Sequence, residues 1–324
     1  MQGTQSVSDQ LREHDTPLVS VVMPSFGQAA YIEESILSVL NQDYPRIELL
    51  IIDGGSTDGT VDIIRRHASR IAYWVSEKDG GQADAINKGW SRCQGDIVTF
   101  LNSDDTYIPG AVSRIVAAFT NNPSAGVVYG QARWVEQDGR PALETNTRLT
   151  PQEMLDGFRS LPQPAAFLRR EAIERVGRLD PTFHYALDGE FFMRVLGNFE
   201  AVALPQVLAT MRLHPASKSV ATGTGFAPEI LRIAEKVISS PTQYPLYHVD
   251  PVVVRAGAKV AAARFLFMNG EYVEALGALR AAAMATPRYR YQIVSHELPR
   301  FLARAVAGPR LYAWAAALRQ RRLS

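Results

Sequence analysis

From Leu18 onward, short β-branched runs alternate with stretches of helical period. Residues 19–23, 47–52, 71–75 and 97–101 are apolar almost throughout. Between them, Ile32, Ile36, Leu37, Val39 and Leu40 stand at helical spacing. Val61, Ile63 and Ile64 begin a second helical stretch, 83–90 form a third and 111–119 a fourth. Strands that are apolar on both faces and separated by helices predict a parallel sheet covered on both sides. A fifth strand is predicted at 126–129. Beyond Gly130 the rhythm changes. Residues 131–149 read as a hairpin or irregular insert with a turn at Gln137-Asp138-Gly139. Helices are predicted at 170–176 and 190–196 and a strand over 201–213. Gly223-Thr224-Gly225 marks a break, after which the chain reads as Ala-rich helix. The predicted organisation is a polar tail (1–17), an α/β domain (18–222, divided into 18–130 and 131–222) and a helical C-terminal region (223–324).

In an open parallel sheet, ligands bind beyond the carboxyl ends of the strands. The first strand ends at Pro24-Ser25-Phe26. The second ends at Asp53-Gly54-Gly55-Ser56-Thr57-Asp58-Gly59, the third at Glu77-Lys78-Asp79-Gly80-Gly81 and the fourth at Asn102-Ser103-Asp104-Asp105. Acids gathered on one edge repel one another, which a fold tolerates when a cation sits among them. Mg²⁺ or Mn²⁺ prefers carboxylate oxygen and shares its shell with substrate phosphates. Glycine pairs let the backbone approach a bulky ligand. The implied ligand is a diphosphate carried on a divalent metal. Each feature also has a plainer reading: Thr57 and Asp58 as helix caps, Asp53 as the start of an Asx turn, and Asp104-Asp105 as a cap.

Composition narrows the classes. Lys and Arg number 34 against 33 Asp and Glu, a net charge of +1, so nucleic-acid binding gains no support. Apolar residues make up 46%, enough for a sizeable core. The single cysteine, Cys93, excludes an intrachain disulfide and a cysteine zinc site. The N-terminal residues lack the basic-then-apolar build of a signal peptide. The most apolar stretch, 252–268, is broken by Arg255, Lys259 and Arg264. The expectation is a cytoplasmic protein without a membrane span.

The four strand-end segments, with Gln82-Ala83-Asp84-Ala85-Ile86-Asn87-Lys88-Gly89 following the third, resemble the donor half of family 2 glycosyltransferases, which have the GT-A fold. The resemblance covers roughly residues 18–215. It implies that Asp53 accepts the imide N–H of uracil or thymine and that Pro24 and Phe26 edge the base pocket. It implies that Gly80, Gly81 and Asp84 line the ribose, diphosphate and sugar. Asn102-Ser103-Asp104 matches the family's Asp-x-Asp with Asn in first place, so the metal falls to Asp104, with Asp105 near the donor sugar or a neighbouring loop. Gln163-Pro164, 171–177 and Leu187-Asp188-Gly189-Glu190 resemble the acceptor side. There Asp188 aligns with the catalytic base, and Glu190 orients it or holds the acceptor. Arg212-Leu213-His214-Pro215-Ala216-Ser217-Lys218-Ser219 resembles a further family element, which implies His214 as a second metal ligand and Arg212 and Lys218 against the diphosphate; the plainer reading of His214 is a structural histidine.

The expected activity is inverting transfer of a sugar from a nucleoside-diphosphate sugar, UDP or dTDP, to a glycan or lipid-linked acceptor in bacterial surface polysaccharide synthesis. The last 24 residues hold five arginines and no acid, so 301–324 is a candidate for peripheral membrane contact or a helix packed on the protein. The alternative is a non-catalytic nucleotide-sugar-binding module. A nucleotidyltransferase is disfavoured because the first loop is neither basic nor Gly-rich. A dinucleotide oxidoreductase is disfavoured because no Gly-x-Gly-x-x-Gly follows the first strand.

Overall fold

The computed structural model describes residues 16–137, 140–144, 150–214, 217, 225–299 and 301. Asp138 and Gly139 of the predicted turn, and Gly223 and Thr224 of the predicted break, lie outside the described residues. The predicted β-branched runs form β1 (Val19–Ser25), β2 (Ile47–Asp53), β3 (Tyr73–Ser76) and β4 (Ile97–Phe100), with β5 (Thr106–Tyr107) after the β4 turn. Helices α1 (Ile32–Leu40), α2 (Thr60–His67), α3 (Gln82–Trp90) and α4 (Ala111–Asn121) connect them. Then come β6 (Ala125–Val135), β7 (Pro141–Glu144), α5 (Pro151–Gly157), β8 (Ala166–Arg169), α6 (Arg170–Val176), α7 (Leu187–Leu196) and β9 (Glu200–Arg212). Further α-helices among the described residues are α8 (Phe226–Ser239), α9 (Pro251–Met268), α10 (Tyr272–Ala285) and α11 (Pro287–Gln292), the last continued by a π-helical turn at Ile293–Glu297.

The strands make one mixed sheet in the order β3-β2-β1-β4-β8-β6-β9-β5, with β7 added on β6. β3, β2, β1 and β4 run parallel. β8 pairs antiparallel with β4 and β6, and β5 with β9. Every residue of β1 is buried, as a central parallel strand covered on both faces requires. β1 lies between β2 and β4, so chain order reverses there. Ser25 is level with Asp53, and Asp53 with Ser76, which brings three strand ends to one edge.

The chain divides into two compact units. The first holds Met1–Ala132, Pro162–Pro181 and Glu200–Thr210, and the second holds Arg133–Leu161, Thr182–Phe199 and Met211–Ser324. In the first, β-branched and aromatic side chains such as Val21, Ile51, Phe100, Ile115 and Phe167 are buried between sheet and helices. In the second, Ala256, Val260, Ala263 and Phe267 of α9 pack with Ala275, Leu279 and Ala282 of α10 and with Tyr289. Small residues at these positions let the helices approach closely. Pro251 at the first turn of α9 and Asp250 as its cap, accepting from the Val252 and Val253 N–H groups, fix where that helix begins. No helix among the described residues is long and apolar enough to cross a membrane.

Candidate active site

The ends of β1, β2 and β3 are tied into one platform. Asp53 is fully buried. Its carboxylate accepts from the Gly55 N–H (3.1 Å), the Ser56 N–H (2.8 Å), the Ser56 hydroxyl and the Ser76 hydroxyl (2.7 Å). The Asx turn is therefore realised, and both oxygens are taken by the protein. The segment after Asp53 also holds the loop after β1. Gly27, Gln28 and Ala29 N–H groups donate in turn to Ser56 Oγ (2.8 Å), Thr60 Oγ1 (2.9 Å) and Asp58 Oδ2 (3.0 Å). Burial raises the Asp58 carboxyl, but donors from Thr60 and Ala29 outweigh it and leave the group below its ordinary range. Asp58 thus braces the two loops, and its Oδ1 also accepts the N–H of Thr60, the first residue of α2, at 3.2 Å, although the residue directly before that helix is Gly59.

Pro24 is buried in β1, while the Phe26 ring stands 71% exposed beyond it. Beside the ring, Gly54 leaves a space that another side chain enters. A Cβ on Gly54 would lie 3.1 and 3.3 Å from the two Asp79 carboxylate oxygens and 3.3 Å from the Phe26 ring. Asp79 is half-buried. Its Oδ1 accepts the Gly81 N–H at 2.8 Å, and Asp84 Oδ2 accepts the Gly80 N–H at 3.0 Å. Gly81 adopts φ +106°, a conformation closed to L side chains without strain, and so carries the chain into α3.

At the end of β4, Asn102 and Asp104 are half-buried and Asp105 is 5% exposed. The Asp105 N–H closes a turn on the Asn102 carbonyl at 3.1 Å. Asn102 Nδ2 donates to Asp105 Oδ2 (3.3 Å) and to Gln163 Oε1 (3.2 Å), and its Oδ1 accepts from Gln82 Nε2 (2.7 Å). Among the described residues no group of three or more His, Cys, Asp or Glu is arranged to hold a metal. Asp104 fits a metal that arrives on a diphosphate, since Mg²⁺ and Mn²⁺ take one or two carboxylates and complete their shell with phosphate oxygens and water.

The second unit holds the remaining candidates. Asp188 lies in the first turn of α7, behind the cap residue Ala186. That helix end is closed by Glu229 of α8. Its carboxylate accepts three successive backbone N–H groups, from His184 (2.8 Å), Tyr185 (2.9 Å) and Ala186 (2.8 Å). Glu190 is 1% exposed and lies inside the protein: Arg194 grips both oxygens (2.9 and 2.8 Å) and Lys236 pairs with Oε1 at 2.8 Å. Of the two expectations for Glu190, holding the acceptor has no exposed carboxylate to act through. Arg212 is 8% exposed, with one guanidinium N–H on the Gln137 carbonyl at 3.1 Å, and His214 is 5% exposed. Lys218 lies outside the described residues, as do 302–324. Phe301 is buried and stacks on Phe267 at 4.1 Å.

The profile of Glycosyl transferase family 2 matches residues 20–177, the stretch that contains every strand-end segment above. The glycosyltransferase Rv1514c of Mycobacterium tuberculosis is 32% identical over 196 residues, which is 59% of this chain and 74% of that protein. The chain belongs to glycosyltransferase family 2. A relative in Bacillus subtilis, TuaG, named for teichuronic acid biosynthesis, is 38% identical over 128 residues, 39% of this chain and 50% of its own. The mannosyltransferase PcManGT of Pyrobaculum calidifontis, solved with GDP-Man and Mn²⁺, superposes with a TM-score of 0.58 at 22% identity. The superposition covers 93% of this chain and 86% of that one and shows the GT-A fold.

In this family 2 glycosyltransferase, two site features are not legible to sequence reasoning. By sequence, Asp79 is only one acid among several. The signal that singles it out is Gly54, a residue without a side chain directly after the saturated Asp53. Glu229 gives no local signal, because its partners lie 43 to 45 residues earlier in the chain.

Proposed function

We propose that the protein is an inverting glycosyltransferase that moves a sugar from UDP- or dTDP-sugar to a glycan or lipid-linked acceptor, with Mn²⁺ or Mg²⁺, in bacterial surface polysaccharide synthesis. The observation that carries the donor assignment is the edge of the parallel run β3-β2-β1-β4, where the exposed Phe26 ring follows β1, the Asp79 carboxylate beside Gly54 follows β3 and the Asp104 turn follows β4. Phe26 offers a face for the base. Because Asp53 is filled by protein donors, Asp79 is the carboxylate left to accept a base N–H, and Asp53 holds the floor beneath it. A uracil or thymine imide meets it with one N–H; guanine would offer an N–H and an amino group. Gly80, Gly81 and Asp84 flank the diphosphate. When bound at Asp104, the divalent ion supplies positive charge to the departing diphosphate. Arg212 and Lys218 are proposed to meet the diphosphate and His214 the metal.

Asp188 takes the proton of the acceptor hydroxyl as that oxygen attacks the anomeric carbon opposite the diphosphate, so configuration inverts. Glu190, buried with Arg194 and Lys236, orients the helix turn that carries Asp188. The polysaccharide role draws on the name of TuaG and the metal on PcManGT. Transfer measured with a panel of nucleotide-sugars and Mn²⁺ tests the reading. Asp188→Asn should cut kcat by roughly 10²–10⁴-fold and leave donor affinity unchanged. Asp104→Ala should lose donor affinity in the presence of metal. Full turnover in Asp188→Asn, or undiminished activity in excess chelator, overturns it. Asp79→Ala should raise the KM for the donor by about tenfold, with Asp79→Asn intermediate; a GDP-sugar preference would replace the UDP/dTDP assignment.

A further inference from the structure

The direction of every hydrogen bond around Asn102 is fixed by one carbonyl. The Phe100 C=O only accepts, so the group facing it at 2.6 Å is the Gln163 amide nitrogen. Gln163 Oε1 then faces Asn102, which must present Nδ2 to it at 3.2 Å. The same Nδ2 meets Asp105 Oδ2 at 3.3 Å, and Asn102 Oδ1 is left to accept Gln82 Nε2 at 2.7 Å. Gln163 is 8% exposed and Asp105 5%. The chain of amides runs from β4 through the Asp104 turn to the first residue of α3, directly after Gly80 and Gly81.

We propose that Asn102 is a positioning residue that works because it is an amide: it sets the Asp104 turn and the Gly80-Gly81 entry to α3 in one register. It follows that an acid at this position, though it would complete the family's Asp-x-Asp pattern, weakens binding of metal and donor. A carboxylate oxygen in place of Nδ2 would face two acceptors, Gln163 Oε1 and the Asp105 carboxylate. The amide chain would have to break at Phe100 or the turn would have to open, because like charges at that separation repel strongly in a buried site. Asp105 is accordingly the partner of Asn102 and holds the turn closed.

The inference rests on the assignment of metal–diphosphate binding to Asp104, and the test separates the two. Calorimetry would follow UDP binding in the presence of Mn²⁺ to the full chain and to N102D, N102D/D105N, Q82M and D104A, with circular dichroism melts on each. N102D should bind Mn²⁺–UDP at least tenfold more weakly. The double change N102D/D105N exchanges donor and acceptor across the 102–105 contact and should recover at least half of that loss on a logarithmic scale. Q82M, which breaks the last link without adding charge, should raise Kd about three- to tenfold with its melting temperature within a few degrees, and it carries the test if N102D does not fold. N102D binding as tightly as the parent, no recovery in the double variant, or unchanged affinity in Q82M each overturns the positioning role. If D104A retains full Mn²⁺–UDP affinity, the assignment of the metal fails instead, whatever N102D does.

Discussion

Replacing Glu229 by Gln isolates what holds the helix that carries Asp188. In the native protein one carboxylate oxygen accepts the His184 N–H and the other accepts those of Tyr185 and Ala186, at 2.8 to 2.9 Å. These donors belong to the three residues that lead into α7, ending at its cap Ala186, and an anion there also meets the positive end of the helix dipole. The glutamine is nearly isosteric. Its oxygen can keep the two-bond position, while its NH₂ faces the His184 N–H. The change therefore removes one charge-assisted bond, leaves a donor against a donor and neutralises the anion. A hydrogen bond to a charged group contributes about 1.5–3 kcal/mol, and a partly buried charge at a helix end up to about 2 kcal/mol. These terms overlap, so the expected loss is about 2–4 kcal/mol. Glu229 is 9% exposed, so water relieves little of it. The same face of α8 grips the segment twice more. Arg232 reaches the Thr182 carbonyl (2.7 Å) and Lys236 reaches Glu190 (2.8 Å), so residues 229, 232 and 236 form an i, i+3, i+7 stripe. With those contacts intact, E229Q should fold. Urea denaturation should report the loss, and kcat should fall roughly tenfold or more, since small misplacements of a catalytic group cost heavily. A stability change under about 0.5 kcal/mol with turnover unchanged would refute the reasoning.

Three further outcomes follow from the geometry. Glu190→Gln should destabilise by about 3–5 kcal/mol in the same assay, because Arg194 and Lys236 would keep their charges around a buried neutral group; Lys236→Met, which leaves Arg194 on Glu190, should cost less. Calorimetry should find Mn²⁺ binding weak without nucleotide and strengthened by UDP, because the Asp104 turn supplies a carboxylate and the diphosphate supplies further oxygens; tight binding of metal alone would count against this. Burial holds the Cys93 thiol up to about 11, so the folded protein should resist iodoacetamide at pH 8 and react fully in denaturant, as mass spectrometry would show.

The parallel half of the sheet was legible because its signal is local. A run such as Ile47–Asp53 is apolar on both faces, and only a central strand of a covered sheet buries it so. The acids at the strand ends were legible for the same reason, since each sits directly after such a run. What escaped was either short or distant. β5 is two residues long, with no period to read. α5 spans seven residues, and its start is announced by Thr150-Pro151-Gln152-Glu153. That capping box is realised by the Glu153 N–H on Thr150 Oγ1 at 3.2 Å and the Thr150 N–H on Glu153 Oε2 at 2.8 Å. Sequence alone also ranks carboxylates by neighbourhood, whereas chemistry depends on which lone pairs are already taken. Asp53 ends β2 and Asp79 follows its neighbour β3 by three residues, and the two look alike in the sequence. Yet the first is filled by four protein donors and the second fills the space beside Gly54. Asn102 shows the converse. Read by pattern it is an imperfect ligand in a metal-binding triplet, but a carboxylate there would face both Gln163 Oε1 and Asp105. Departure from the pattern is thus what the local hydrogen-bond polarity requires, and any chain with this Gln163–Asp105 pair around the turn should need an amide at the same place.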